Sequence, residues 1–123
     1  MAKPGYQVLT GIIEAAGYSA KGFRPAQKYE SAFRQAVALT SAFILFAFWL
    51  GHDSVKIGML ISSLLLVVVV ELVNSAIEAV VDRVGDEPHK LSRRAKDLCS
   101  AAVFVAVIFA GVLWLSVIID HLG

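Results

Sequence analysis

The stretch IGMLISSLLLVVVVELVNSAIEAVVDR, residues 57–83, begins as uninterrupted hydrocarbon and ends as a helix with a charged stripe. At about 100° per residue, Glu71, Asn74, Glu78 and Asp82 fall within an arc of roughly 80° on one helix face. A carboxylate inside hydrocarbon costs on the order of 3 kcal/mol by insertion scales, so such residues mark function more often than packing. Only 14 uncharged residues separate Lys56 from Glu71, whereas a membrane span takes roughly 20. Glu71 therefore belongs about one turn below the membrane surface and Glu78 near the headgroups, about 10 Å further along the axis.

Around this segment the chain is as apolar as a membrane protein. It has 123 residues, 58% of them hydrophobic, and a mean hydropathy of +0.73, against roughly 45–50% apolar residues in soluble domains. Residues 35–52 carry no charge, and residues 98–119 form a cleaner apolar run. The pattern predicts an all-α membrane protein with three transmembrane helices, at about 33–51, 55–81 and 97–119. Val8, Leu9, Ile12, Ile13 and Ala16 recur at helical spacing and predict an amphipathic surface helix at about 5–28, broken at Gly17 and bent around Gly22 and Pro25. The whole chain reads as one membrane-embedded domain, with Trp114 as an interface anchor at the far end of the third span.

Lys3, Lys21, Arg24, Lys28 and Arg34 precede the first span, and Arg83, Lys90, Arg93, Arg94 and Lys96 lie between the second and third. The other side has Lys56 alone. The positive-inside rule places the N-terminus, the 82–97 connection and the acidic stripe in the cytoplasm. A formal charge of +1 argues against a nucleic-acid partner. No signal peptide is visible in residues 1–28. Cys99 reads as a small apolar residue, and His52, His89 and His121 as loop residues without metal-ligand spacing.

Carboxylates and an amide facing Arg and Lys at a cytoplasmic interface are hard-oxygen ligands and phosphate-binding cations, the set that Mg-nucleotide chemistry uses. The chain lacks a P-loop and a kinase glycine-rich loop, which excludes those folds. On these residues alone, a small ion-coupled transporter or proton relay, a lipid enzyme and a structural assembly subunit all stay open.

Four ordered motifs, AAGYSAKG at 15–22, ESAFRQ at 30–35, ELVNSAIEAVVDR at 71–83 and LSRRAKD at 91–97, resemble the integral-membrane diacylglycerol kinases of Gram-negative bacteria. The resemblance implies a multi-pass homotrimer of the bacterial inner membrane, with its active site on the cytoplasmic side. It further implies transfer of the ATP γ-phosphoryl group to diacylglycerol; an undecaprenol kinase of the same family is the nearest alternative. Carried over, it makes Glu71 the general base, with Asn74, Lys96 and Asp97 completing the catalytic set. Glu30 and Glu78 would hold Mg²⁺, and Tyr18, Glu87 and His89 would line the ATP pocket with Glu30, Glu78, Lys96 and Asp97. Diacylglycerol and membrane lipids would meet Ala15, Ser19, Arg24, Ala32, Arg34, Trp49, Ser100 and Trp114 as well as Glu71. Gly11, Ala20 and Ala36 depart from the family pattern, outside the catalytic set. Asp82 and Arg83 read as a solvated helix face.

Overall fold

A backbone in hydrocarbon must satisfy its own hydrogen bonds, so apolar runs of this length become helices. The computed structural model describes residues 4–29, 31–85 and 89–123, and the side chains of residues 7–25, 31, 33–85 and 89–123. They form α1 (Pro4–Tyr29), α2 (Ser31–Leu50), α3 (Ser54–Val84) and α4 (Lys90–Leu122). Among the described residues, three segments are long and apolar enough to cross a membrane, Phe33–Leu50, Ser54–Val84 and Lys90–Leu122. This is the all-helical, multi-pass architecture that the hydropathy predicts.

The helix ends have local causes. The Asp53 carboxylate accepts the Lys56 N–H at 2.8 Å and caps α3, a bond of the kind typically worth about 1 kcal/mol. Gly51 makes the α2–α3 reversal possible, because a Cβ there would lie 2.7 Å from the Ile57 side chain. At the other end α3 stops at Gly85, whose φ of 156° suits a residue without a Cβ. His89 Nδ1 accepts the Leu91 N–H at 3.0 Å and caps α4.

α3 packs along α4 and also against α2, while α1 makes its main contacts with α2, where the Phe23 and Phe33 rings lie 6.3 Å apart. The buried core is Ala47, Leu50, Leu60, Ala110, Trp114 and Val117, in the half of the bundle nearest the 51–53 turn. Most other large apolar side chains point outward, Phe104 being 66% exposed. That distribution suits a solvent of acyl chains, in which helices associate through close packing and hydrogen bonds without a hydrophobic driving force.

Two expectations need correction. α1 is continuous through Gly17, Gly22 and Pro25. Proline forfeits one backbone bond, but leaving helix near an apolar phase would strand several more polar groups. Trp114 is no interface anchor: it is only 8% exposed, and its indole N–H donates to Ser63 Oγ at 3.1 Å. Phe43 and Phe46 hold the ring, with centroids 5.1 and 6.0 Å away.

Candidate active site

Helical spacing on α3 brings the stripe together. Asn74 and Glu78 are four residues apart, and the Asn74 amide donates to Glu78 Oε1 across 3.4 Å. Glu71, Asn74 and Glu78 are half-buried, whereas Asp82 is exposed, so the stripe climbs from apolar surroundings toward water. Asn74 Oδ1 is shielded from solvent and has no hydrogen-bond partner among the described residues. Buried acceptors are rarely left so. It is a strong acceptor available to a donor or a cation.

α4 supplies the positive charge. Lys96 Nζ meets Asp82 Oδ1 at 2.8 Å, bridging the two helices where they emerge from the apolar region. Asp82, by hydrogen bond and by charge, holds the Lys96 ammonium above the usual lysine pKa range, with the charge of Glu78 adding to the effect. Lys96 lies in the helical turn that precedes the predicted 97–119 span, and it stays cationic at neutral pH. The ammonium therefore stands within the field of two stripe carboxylates, a short reach from an incoming polyphosphate.

Beside the stripe runs an apolar groove of about 460 Å³, lined by Leu66, Val70, Leu98, Ala101, Ala102 and Ala106 among others. Val70 ends the groove at the height of Glu71 along α3, about 100° around the helix from it, and Asn74, one turn on, is the stripe residue above Val70. Alanines on α4 leave the width. A second groove, of about 330 Å³, lies between α2 and α4 toward the other end and includes Leu39, Phe43, Phe46 and Trp114.

The structure thus unites Glu71, Asn74, Glu78 and Lys96, while Asp97 and Ser100 follow on α4 as exposed residues. Other predicted site residues lie on other elements. On α1, Tyr18 is exposed with Lys21 Nζ 5.7 Å from its ring centroid, Ser19 Oγ donates to the Ala15 carbonyl at 2.8 Å, and Ala15 and Arg24 are exposed. Arg34 is exposed near the start of α2. Trp49 is at the far end, stacked on Phe46 with centroids 5.4 Å apart. Glu30, Glu87 and the side chain of Ala32 lie outside the described residues. Among the described residues no group of three or more His, Cys, Asp or Glu side chains converges as a metal centre.

Two single-residue readings change once the helices are seen together. Asp82 is solvated, as expected, and is also the partner of Lys96 across to α4. The histidines are not all loop residues. His89 is the α4 cap, and His121, in the last turn of α4, lies 2.9 Å from His52 through facing ring nitrogens. Their separation of 69 residues gave no local spacing to notice. Cys99 is free and half-buried, in keeping with its apolar reading.

The chain is similar to proteins of known activity over nearly all of its length. The profile of the prokaryotic diacylglycerol kinase family matches residues 17–118. A diacylglycerol kinase of Escherichia coli K12 is 51% identical over 115 residues, covering 94% of each chain. One from Haemophilus influenzae is 47% identical over 106 residues, 86% of this chain and 90% of that protein. One from Pseudomonas aeruginosa is 45% identical over 115 residues, again 94% of both.

Proposed function

This chain belongs to the prokaryotic diacylglycerol kinase family, and from that premise we propose how its residues divide the work. The protein is a lipid kinase, phosphorylating diacylglycerol to phosphatidic acid with a nucleotide as phosphoryl donor. The donor is ATP. The lipid hydroxyl oxygen attacks the γ-phosphorus, the bond from that phosphorus to the β-bridging oxygen breaks, and ADP leaves with the electron pair. Glu71 takes the hydroxyl proton as the new P–O bond forms.

The observation that carries this reading is the ladder on α3: a half-buried Glu71 beside an apolar groove, then Glu78, then an exposed Asp82 joined to Lys96. A diacylglycerol hydroxyl stays at the membrane surface because its acyl chains cannot leave, and the groove next to Val70 offers those chains a seat. Lys96 faces the phosphates, with Asp97 beside it. The carboxylate of Glu78, the orphaned Oδ1 of Asn74 and the carboxylate of Glu30 are hard oxygen donors of the type Mg²⁺ takes. Bound there, Mg²⁺ would screen the phosphate oxygens. Asn74, already bonded to Glu78, keeps the stripe in register.

Tyr18, Glu87 and His89 complete the nucleotide pocket, and Ala15, Ser19, Arg24, Ala32, Arg34 and Ser100 contact the lipid near the headgroups. Trp49 lies too far along the bundle for the headgroup and meets acyl chains, whereas Trp114, buried in the core, meets them only where it lines the second groove. The distribution of basic residues supports a cytoplasmic site in a bacterial inner membrane. Three helices cannot enclose both substrates, which supports a homotrimer whose neighbouring chains close each site. The test is ADP release by the purified protein, with ATP and either diacylglycerol or undecaprenol in mixed micelles. Turnover should rise with diacylglycerol and depend on magnesium. Equal or greater stimulation by undecaprenol would reassign the acceptor, and no stimulation by either would end the kinase reading of the stripe.

A further inference from the structure

At the end of the bundle opposite the stripe, two elements that are distant in sequence bring imidazoles face to face. His52 follows α2 in the turn that Gly51 makes possible, and His121 is in the last turn of α4. His121 Nδ1 and His52 Nε2 are 2.9 Å apart, the ring centroids are 4.8 Å apart and the rings are inclined by only 16°. Nitrogens nearly 2 Å closer than the centroids mean that the rings meet largely edge to edge, each directing an in-plane nitrogen at the other. The Trp49 ring, 5.3 Å from that of His121, backs the pair. Lys56 and Asp120 form an ion pair alongside, and Asp53 is held at the α3 cap.

We propose that His52 and His121 form a binding site for a divalent transition-metal ion of the imidazole-preferring kind, such as Zn²⁺, Ni²⁺ or Cu²⁺. Imidazole nitrogens bind Zn²⁺ at about 2.0–2.1 Å, so two of them on one tetrahedral ion stand about 3.3 Å apart. Widening the present gap by about 0.4 Å, with each ring turned so that its lone pair leaves the N···N line toward the ion, meets that geometry. Each ring coordinates as the neutral tautomer that keeps its proton on the other nitrogen. The site uses two protein ligands, since among the described residues no third His, Cys, Asp or Glu joins them in a ready-made cluster. Water fills the remaining positions, and Asp120, held by Lys56, lies close enough in sequence to exchange into one.

Two rings already held in contact lose little freedom on binding an ion, which favours chelation over binding to a lone surface histidine. His52 is exposed, so the ion reaches the pair from water. From Lys96 to His121 along α4 is about 37 Å of helix. The ion therefore takes no part in phosphoryl transfer. It ties the α2–α3 turn to the end of α4 and stabilises the folded chain by linkage.

The test uses the full chain in mild detergent at pH 7.5. Cu²⁺ is followed by electron paramagnetic resonance, and Ni²⁺ and Zn²⁺ by calorimetry. Expected are one ion per chain, hyperfine coupling to two nitrogens, and at least tenfold weaker binding in both His52→Ala and His121→Ala. The thermal midpoint should rise with Zn²⁺ in the wild type and not in the double variant. Absence of saturable binding, a one-nitrogen spectrum, or binding that persists in the double variant would overturn the proposal.

Discussion

Substituting Ser63 by alanine tests how the two longest helices are held together. Ser63 is fully buried; its hydroxyl donates to the Leu60 carbonyl at 2.7 Å and accepts the Trp114 N–H at 3.1 Å. Losing the hydroxyl costs the Leu60 carbonyl little, because that group keeps its helical bond. The indole N–H, however, is left unpaired in hydrocarbon. Interhelical hydrogen bonds in membranes are worth about 0.6 kcal/mol on average and up to about 1.7. An orphaned buried donor sets the penalty near the middle of an approximate 1–3 kcal/mol range. Ser63→Ala should therefore cost about 2 kcal/mol, near thirtyfold in the unfolding constant. Trp114→Phe removes the donor instead and leaves Ser63 bonded to Leu60, so its loss is one of ring contact with Phe43 and Phe46. Unfolding in mixed micelles by a denaturing detergent, followed by far-UV circular dichroism on both single variants and the double, gives the coupling directly. About 1 kcal/mol is expected. A coupling below about 0.3 kcal/mol, the limit of simple additivity, would mean that the bond contributes nothing and that packing alone sets the α3–α4 contact.

Three predictions concern the chemistry. Glu71→Gln should keep the fold and lower kcat by about 100-fold or more, the typical worth of a general base; near-normal turnover by coupled ADP release would remove Glu71 from that role. Asp82→Asn frees Lys96, and should raise KM for ATP and lower kcat together by roughly tenfold, with stability little changed because the pair is exposed. Its pH–rate profile carries a signature: the Asp82 hydrogen bond and charge that raise the Lys96 pKa are lost, so the alkaline limb should move to lower pH. Wild-type kinetics in this variant would show the ion pair to be idle. Ala102→Phe fills the groove beside Val70 and should raise the apparent KM for diacylglycerol several-fold while sparing KM for ATP, as measured by titrating the lipid's mole fraction in micelles.

The number and helical nature of the long apolar segments were legible because hydropathy reports the surrounding solvent directly. Glu71, Asn74 and Glu78 were legible for the same reason, being polar where the solvent is not. What escaped was what one helix cannot say about another. Asp82 looked solvated on α3 alone, and its partner Lys96 is 14 residues on, across a reversal. His52 and His121 carry no periodicity that would join them. Trp114 looked like an anchor because Trp favours interfaces in general, whereas a serine at the matching level of α3 draws it inward. Gly17, Gly22 and Pro25 are breakers in water; beside an apolar phase the cost of abandoning backbone bonds outweighs their preference.

The half-buried Glu71 on α3, with Lys96 and Asp82 in water above it, has a kinetic consequence. One substrate approaches by diffusing within a plane, the other by diffusing through a volume. The rate then obeys two different measures of abundance, the fraction of lipid molecules in the sheet that are diacylglycerol and the bulk molarity of nucleotide. Diluting the membrane with inert lipid slows the enzyme at constant total diacylglycerol, whereas diluting the suspension at fixed nucleotide molarity does not.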